Sequence, residues 1–380
     1  AILADITVNG KPIKALAVPG KQGFVWVFDR VTGQPVWPIE ERAVPPSDIP
    51  GEKASATQPF PTKPPAYSRN VLSMPDDLID FTPALRAQAV ENMKRYRTGP
   101  WMYNPPMLGD PNGILGSINM GNAIGGTNWP GVAYDPETHT MFAQANNVNI
   151  TSTSLVEPPK GFSDIRYVSG MQGREFREVI GPGDCCAADS PRAIAQIEAQ
   201  RAAAVAQGTT PAATLPAGGG AAAAGAGAGA GQLFGGLTVD GLTILKPPYG
   251  TIAAVNLDRG DITWRVPHGD TPDNVRNHPL LKGLNIPKTG QAGTSGIGLM
   301  ATKTLVVMGD PQLTTTPEHP RGAMLRAYDK TNGNQVGMVH MPAPQSGSPM
   351  TYLAGGRQFI VVAISGGNYS GEYLAFALPR

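Results

Sequence analysis

One strand-and-turn pattern recurs along the chain and limits what it can fold into. Its copies occupy residues 23–33, 132–139, 253–260 and 325–333. The first copy reads as a strand that ends in an Asp-x-x-Thr-Gly turn, with Trp37 four residues beyond the glycine. Trp264 stands at the same distance after the 253–260 copy, and Gly337 takes that position after the 325–333 copy. Copies at irregular spacing indicate repeated β units separated by insertions.

The chemistry of this repeat predicts stacked sheets. An aspartate or asparagine side chain can hydrogen-bond the backbone of a tight turn, glycine accepts a positive φ, and tryptophan packs between neighbouring sheets. Four-stranded sheets stacked around an axis form a β-propeller, so we expect an all-β propeller fold. A β-sandwich whose hairpins share this turn chemistry is the alternative.

Composition agrees with many turns and few exposed helices. The 380 residues include 47 glycines and 38 prolines, and charged residues make up only 16%. A net charge of +1 is too small for the phosphate-neutralising field of a nucleic-acid-binding protein. No apolar run reaches the length of about 18 residues that a membrane span needs.

The first residues predict a hairpin. Residues 6–8 and 13–18 read as strands, and the pair Asn9 and Gly10 favours a tight turn between them. The basic, apolar and small-residue regions of a secretory signal are not found in this stretch. We therefore expect the chain to begin inside a folded domain.

Long inserts separate the repeats. Residues 38–75 are rich in proline and are expected to run as extended loop over the surface. Thr82 and Pro83 predict a helix that reaches about Arg97, and a second helix is expected over residues 190–207. Residues 216–231 are almost wholly alanine and glycine, a composition that predicts a flexible excursion.

Several stretches together resemble the membrane-type PQQ-dependent glucose dehydrogenases and their quinoprotein relatives. The matching stretches are residues 3–10, 19–23, 28–30, 45–46, 51–52, 57–61, 348–352, 358–362, 366–367 and 378–379. The resemblance covers nearly the whole chain apart from roughly residues 160–245. It implies an eight-bladed propeller with PQQ in the central channel, clamped to a Ca²⁺ ion.

The resemblance also divides the chain. Residues 1–380 would form the C-terminal half of one propeller domain, about four blades, with inserts at 42–115 and 159–247. A half propeller exposes open sheet faces, which are an apolar liability for an isolated chain. We therefore expect an N-terminal half, on a separate or cleaved chain, to complete the ring.

Lys21 is the first candidate site residue. It lies in a short turn between two apolar strands, and the matching lysine of the family contacts the quinone oxygens. A fixed ammonium at that point would stabilise the oxyanion that forms on reduction, so Lys21 is assigned both a catalytic and a cofactor-binding role. On the sequence alone, a solvated lysine in a hairpin turn is the competing interpretation.

Two further pairs are candidate cofactor-binding residues by the same resemblance. Asn128 would bond the polar edge of PQQ while Trp129 lines the channel; alternatively, they belong to a glycine-rich turn and Trp129 is core packing. Gly366 and Gly367 would let the backbone approach a planar ligand, although two glycines at the end of a strand are also commonplace.

Other expected partners are missing from this sequence. The family's catalytic aspartate lies just upstream of where this chain begins, the Ca²⁺ ligands lie further upstream, and Asp5 matches a non-catalytic position. No calcium-loop spacing of acids is found, and no metal ligand is assigned here. Cys185 and Cys186 could bridge to other segments, form a strained vicinal ring, or stay reduced.

The sequence therefore predicts a PQQ-dependent oxidation of a sugar or alcohol hydroxyl, with electrons passed to a quinone or cytochrome c acceptor. Without the N-terminal half, the chain is expected to be inactive. The family implies a periplasmic or other extracytoplasmic location, with any membrane association through a segment outside this chain. The alternative function is a non-enzymatic propeller scaffold or binding subunit.

Overall fold

Strands dominate the computed structural model, which describes residues 1–99, 102–121, 125–161, 164–170, 237–316, 318–366 and 369–378. In chain order the strands are β1 (Ile2–Val8), β2 (Lys11–Pro19), β3 (Val25–Asp29), β4 (Ile39–Ala43), β5 (Thr57–Pro61), β6 (Tyr96–Arg97), β7 (Met107–Leu108), β8 (Gly116–Met120), β9 (Ala133–Asp135), β10 (Thr140–Asn146), β11 (Ile150–Val156), β12 (Val168–Ser169), β13 (Thr238–Val239), β14 (Leu242–Thr243), β15 (Gly250–Asn256), β16 (Asp261–Pro267), β17 (Met300–Ala301), β18 (Leu305–Gly309), β19 (Ala323–Asp329), β20 (Gln335–Met341), β21 (Gln345–Ala354), β22 (Arg357–Gly366) and β23 (Tyr369–Ala377). The described α-helices are α1 (Pro83–Met93) and α2 (Asp273–Arg276).

Four antiparallel sheets form the main body. Sheet 1 has the order β1-β2-β3, sheet 2 the order β16-β15-β10-β9, sheet 3 the order β17-β18-β19-β20, and sheet 4 the order β21-β22-β23. The hairpin predicted at the amino terminus is confirmed, because β1 and β2 pair in register on either side of Asn9 and Gly10. The all-β prediction is also confirmed.

The sheets stack in numerical order through three apolar layers. Ile6 and Val27 of sheet 1 pack with Met141 and Val255 of sheet 2 in one layer. The next strand position of sheet 2 points the other way, so Phe142 packs with Val306, Met308 and Tyr328 of sheet 3. A third layer joins sheet 3 to sheet 4. Sheet 2 therefore buries both faces, which explains why all seven residues of β10 are buried.

The repeated turns form as predicted. In each copy the side chain of the recurring acid or amide accepts a hydrogen bond from the backbone two residues on: Asp29 from Val31, Asp135 from Glu137, Asn256 from Asp258, and Asp329 from Thr331. His139 occupies the glycine position of the degenerate copy at φ 50°. The copies are not distributed one to a sheet, because the 132–139 and 253–260 copies lie in the same sheet. The signature marks a hairpin turn, which either half of a sheet can use.

Tryptophan joins neighbouring sheets at these turns. Trp37, beyond sheet 1, lies so close to Gly260 of sheet 2 that an added Cβ would stand 2.9 Å from its Cζ2 atom. Trp264 of sheet 2 lies in the same way over Gly333 of sheet 3, at 2.7 Å from Cε3. Its indole Nε1 also donates to the carbonyl of Lys330 at 3.1 Å. At these two joints, the indole of the earlier sheet therefore covers the turn glycine of the later sheet.

The joint between sheets 3 and 4 is different. Gly337 stands where the next tryptophan would be, and nothing lies within 4 Å of its Cβ position. A buried glutamine, Gln345, bonds across this joint instead: it accepts from Gly309 N at 2.6 Å and donates to the carbonyls of Gly298 and Gly347.

The inserts build an apolar core of their own, separate from the three layers between the sheets. Helix α1 begins at the predicted cap, where Thr82 accepts from Leu85 N, and it buries Leu85, Ala89 and Met93. The predicted end at Arg97 is wrong, because Tyr96 and Arg97 pair with β8 as a parallel strand. The proline-rich stretch is not all loop either, since β4 pairs with β5.

Some predictions fall outside the described residues: the second helix, the alanine-glycine stretch, and both Cys185 and Cys186. Among the helices that the structure describes, none has the length and apolar character needed to cross a membrane.

A fully buried histidine links sheet 2 to sheet 3. His268 Nε2 lies 2.8 Å from the Gly309 carbonyl and must donate to it, so Nδ1 accepts from the Tyr328 hydroxyl at 2.9 Å. Burial lowers the pKa of His268 to about 3. The imidazole is therefore neutral in the folded protein above about pH 3.

Substituting Gly333 with alanine tests the tryptophan joint. Gly10 has the same backbone conformation, with φ 77° against 76°, but nothing lies within 4 Å of its Cβ position. Gly10→Ala should therefore lower the free energy of unfolding by about 1 kcal/mol, through backbone strain alone. Gly333→Ala should lower the free energy of unfolding by roughly 1–3 kcal/mol more than Gly10→Ala does, because the new methyl group pushes Trp264 aside. Urea unfolding midpoints measure both, and equal losses would contradict the joint.

The acid sensitivity of the fold should depend on His268. The unfolded histidine binds a proton below about pH 6.5, whereas the native one does not until about pH 3. Stability should therefore fall between these values as pH decreases, by up to about 1.4 kcal/mol per pH unit. His268→Gln should show a shallower fall in unfolding free energy over that range, with His278→Gln as a control. Parallel curves for wild type and His268→Gln would refute this.

Candidate functional site

Lys21 lies in a tight turn of residues 20–23 that joins β2 to β3. Gly23 N donates to Gly20 O at 2.9 Å, and Gly20 N donates to Phe24 O at 2.9 Å. The side chains of Lys21 and Gln22 are exposed, while Gly23 is buried. Part of the turn's backbone is therefore buried, whereas the Lys21 side chain is exposed at one end of sheet 1.

A second loop lies directly against this turn. Gly126 N donates to Lys21 O at 2.9 Å. Gly125 has φ 85°, and a Cβ on it would stand 2.6 Å from the Cβ of Lys21. Only glycine allows this approach. The structure thus brings together Lys21 and the glycine pair that precedes Asn128 and Trp129.

Asn128 and Trp129 follow in the same loop. Asn128 is half-buried, and its Oδ1 accepts from Trp129 N at 2.8 Å. Trp129 is 66% exposed, so its indole is not core packing in this chain. A cation, an amide and an aromatic face therefore lie on adjoining loops at one end of the sheets.

Asparagines that sequence reasoning missed hold the second loop in place. Asn149 Nδ2 donates to Gly125 O at 2.6 Å, and Asn146 Nδ2 donates to Asn149 Oδ1 at 2.7 Å. Asn146 N also donates to Gly126 O at 2.8 Å. The run of three asparagines at positions 146, 147 and 149 was the available signal.

Residues of the proline-rich insert also reach the site. Tyr67 is fully buried beside the Lys21 turn, and burial raises the pKa of its hydroxyl above the ordinary value. Ser68 lies between the two loops, because a Cβ on either Gly23 or Gly126 would run into its side chain. Nothing in the sequence distinguishes these residues from the surrounding loop.

The remaining predicted residues are not brought to this point by the contacts of the described residues. Gly366 closes β22 at φ 110° opposite Tyr369, and Gly367 lies outside the described residues. Asp5 pairs with Arg30 at 3.0 Å and is 78% exposed, at a mid-strand position opposite Lys14. Within the described ranges, no group of three histidine, cysteine or acidic side chains could hold a metal ion.

Curated relatives match almost the full chain at low identity. Quinate/shikimate dehydrogenase (quinone) of Acinetobacter baylyi is 25% identical over 98% of this chain and 39% of its own length. Glycerol dehydrogenase large subunit of Gluconobacter oxydans is 27% identical over 98% of this chain and 43% of its own. Quinoprotein glucose dehydrogenase of Escherichia coli is 25% identical over 99% of this chain and 40% of its own length. The chain thus spans about two fifths of the length of these relatives.

Among solved structures, quinohemoprotein alcohol dehydrogenase from Comamonas testosteroni aligns with 96% of this chain and 33% of its own, at 18% identity and a TM-score of 0.40. Residues 1–178 and 186–360 match the PQQ family described as the β-propeller domain of glucose, ethanol and alcohol dehydrogenases. Since that match covers most of the sequence, the chain belongs to the PQQ-dependent dehydrogenase β-propeller family.

Proposed function

We propose that this chain supplies part of the cofactor channel of a PQQ-dependent dehydrogenase. The enzyme would oxidise a hydroxyl of a sugar or alcohol and pass the electrons to a quinone or cytochrome c acceptor. The observation that carries the proposal is the contact of the Lys21 turn with the loop of Gly125, Gly126, Asn128 and Trp129. Family membership supplies the redox chemistry.

The residues present fit the cofactor's chemistry. PQQ is planar and carries carboxylates and quinone oxygens, so it suits a cation, an amide and an aromatic face. Lys21, Asn128 and Trp129 offer these three groups, and the glycine at 125 lets the Lys21 turn approach the loop that carries the other two. Gly366 and Gly367 stay proposed contacts from the resemblance alone.

Each residue would have its own part in the reaction. When bound, PQQ accepts the two electrons of the oxidised hydroxyl. The Lys21 ammonium would hold positive charge beside the quinone oxygens and stabilise negative charge that develops there. The amide of Asn128 would orient the cofactor's polar edge, and the indole of Trp129 would cover its face. The general base and the Ca²⁺ ligands would come from outside this chain.

We further propose that an N-terminal half of the propeller packs at the two ends of the stack. At the first end, Gly33 holds the turn position that an indole covers in Gly260 and Gly333, and nothing lies within 4 Å of its Cβ position. A preceding sheet could place its tryptophan there.

At the other end, the outer face of sheet 4 is apolar. Met350 stands opposite Val361, Tyr352 stacks on Phe359 at 5.2 Å, and Tyr373 is 82% exposed. Partners opposite each other in an antiparallel pair share one face, so these side chains form a continuous surface. Such a surface is typical of an interface. The chain alone would then be inactive, and the assembled protein would lie in the periplasm or another extracytoplasmic compartment.

Replacing Lys21 tests the catalytic proposal. In the assembled protein supplied with PQQ and Ca²⁺, Lys21→Ala should reduce kcat by roughly 10²–10³-fold, because a fixed charge at the developing oxyanion is lost. Lys11→Ala is the matched control, since Lys11 lies at the opposite end of β2. Dye-linked oxidation of glucose, glycerol and ethanol measures the rates. Unchanged turnover in Lys21→Ala would remove this residue from the chemistry, and a wild type without PQQ absorbance or turnover would favour the scaffold alternative.

A charge on the open face of sheet 4 should prevent assembly. Tyr373→Glu places a carboxylate where we expect the next sheet to pack, whereas Leu378→Glu, 85% exposed beyond the strand, should be tolerated. Co-expression with the N-terminal half and size-exclusion chromatography measure assembly. Equal yields of assembled protein for the two variants would contradict an interface at this face.

A further inference from the structure

We propose that residues 67–70, here named the clasp, position the Lys21 ammonium for the reaction; this inference rests on the proposed function. The clasp belongs to the proline-rich insert and is not part of any sheet. Its residues are Tyr67, Ser68, Arg69 and Asn70. They act on the backbone that carries Lys21, so they are positioning residues.

The clasp donates hydrogen bonds to the carbonyl groups of the turn. Tyr67 N donates to Gly23 O at 3.0 Å, and Asn70 Nδ2 donates to Gln22 O at 3.0 Å. The Tyr67 hydroxyl reaches Gly20 O at 3.4 Å. The fourth carbonyl, that of Lys21 itself, accepts from Gly126 N. Each of the four carbonyls of the turn therefore has a donor, and the clasp supplies three of the contacts.

The clasp also sets the spacing of the two loops. Ser68 is 5% exposed, and its side chain lies against both Gly23 and Gly126. The hydroxyl of Tyr67 also interacts with the side chain of Thr127, the residue before Asn128. Lys21 and Asn128 are thus held in a fixed relation through the same two side chains.

Arg69 anchors the clasp on sheet 2 and on the insert core. Its backbone N donates to Asn147 Oδ1 at 2.8 Å, and its Nη1 donates to the carbonyls of Asn147 and Lys246. Its Nε lies 3.3 Å from Asp77 Oδ1, and both side chains are mostly buried. The clasp is therefore held in place through Arg69 by groups that do not contact the turn.

This arrangement answers a physical problem of the site. A lysine on a hairpin turn has a mobile backbone as well as four rotatable side-chain bonds, and a catalytic charge must be held close to its productive position. Fixing every carbonyl of the turn removes the backbone part of that freedom. The insert thereby contributes to the reaction without touching the cofactor.

Hydrogen exchange in the cofactor-free assembled protein tests the hold on the turn. Asn70→Ala and Tyr67→Phe each remove one donor, and amide exchange in a peptide covering residues 20–24 should accelerate about fivefold, as expected for one lost hydrogen bond. Tyr134→Phe is the matched control, because its hydroxyl donates to Asp5 O of the same sheet at 2.9 Å, away from the turn. Unchanged exchange in both clasp variants overturns the proposal.

A double-mutant cycle in the PQQ-loaded protein tests whether the clasp acts through Lys21. Asn70→Ala should lower kcat about fivefold with the KM of the hydroxyl substrate unchanged, and should cause no further loss in a Lys21→Ala background. The same loss in both backgrounds would overturn the positioning role. If exchange is faster in the clasp variants than in the wild type but the wild type does not bind PQQ, the proposed function is overturned and the hold on the turn is established.

Discussion

The packing of an indole against a turn glycine is the contact on which the alignment of sheets 1, 2 and 3 depends. Trp37 over Gly260 and Trp264 over Gly333 fix both the distance and the angle between neighbours, since the glycine admits no side chain in between. The apolar layers bury hydrophobic side chains between the sheets but do not specify a single alignment by themselves. With the alignment fixed, the loops at the ends of the sheets come to defined places, and Lys21 meets Gly125 there.

The site depends on backbone contacts more than on side-chain pairs. Glycines at 23, 125 and 126 let two loops approach closely, and Gly126 N donates to the carbonyl of Lys21 between them. Asn149 and Asn146 fasten one loop, while residues of the proline-rich insert fasten the other. The exposed groups, Lys21 and Trp129, are therefore carried on a rigid support although they lie in turns.

The sequence predicted the features that are local. The Asx-turn signature predicted the hydrogen bonds within each turn, and the tryptophan four residues on predicted packing between sheets. Thr82 likewise predicted the start of α1. What failed was set by distant partners: Tyr96 and Arg97 left the helix to pair with β8, and residues 39–43 found Thr57–Pro61 across a loop. The roles of Tyr67 and Ser68 were invisible for the same reason, because their contacts lie more than forty residues away.

The tryptophan joints also have a direction. Each indole belongs to the earlier sheet and each receiving glycine to the later one, so sheet 1 only gives and sheet 3 only receives among the described contacts, while sheet 2 does both. Sheet 2 is therefore the unit that a protein engineer would copy to lengthen the array, with its two hairpins joined directly, because residues 147–249 separate β10 from β15 in this chain. A duplicate of sheet 2 would pack on its neighbours in one orientation only. A reversed copy would place two indoles against each other, with no turn glycine to receive them.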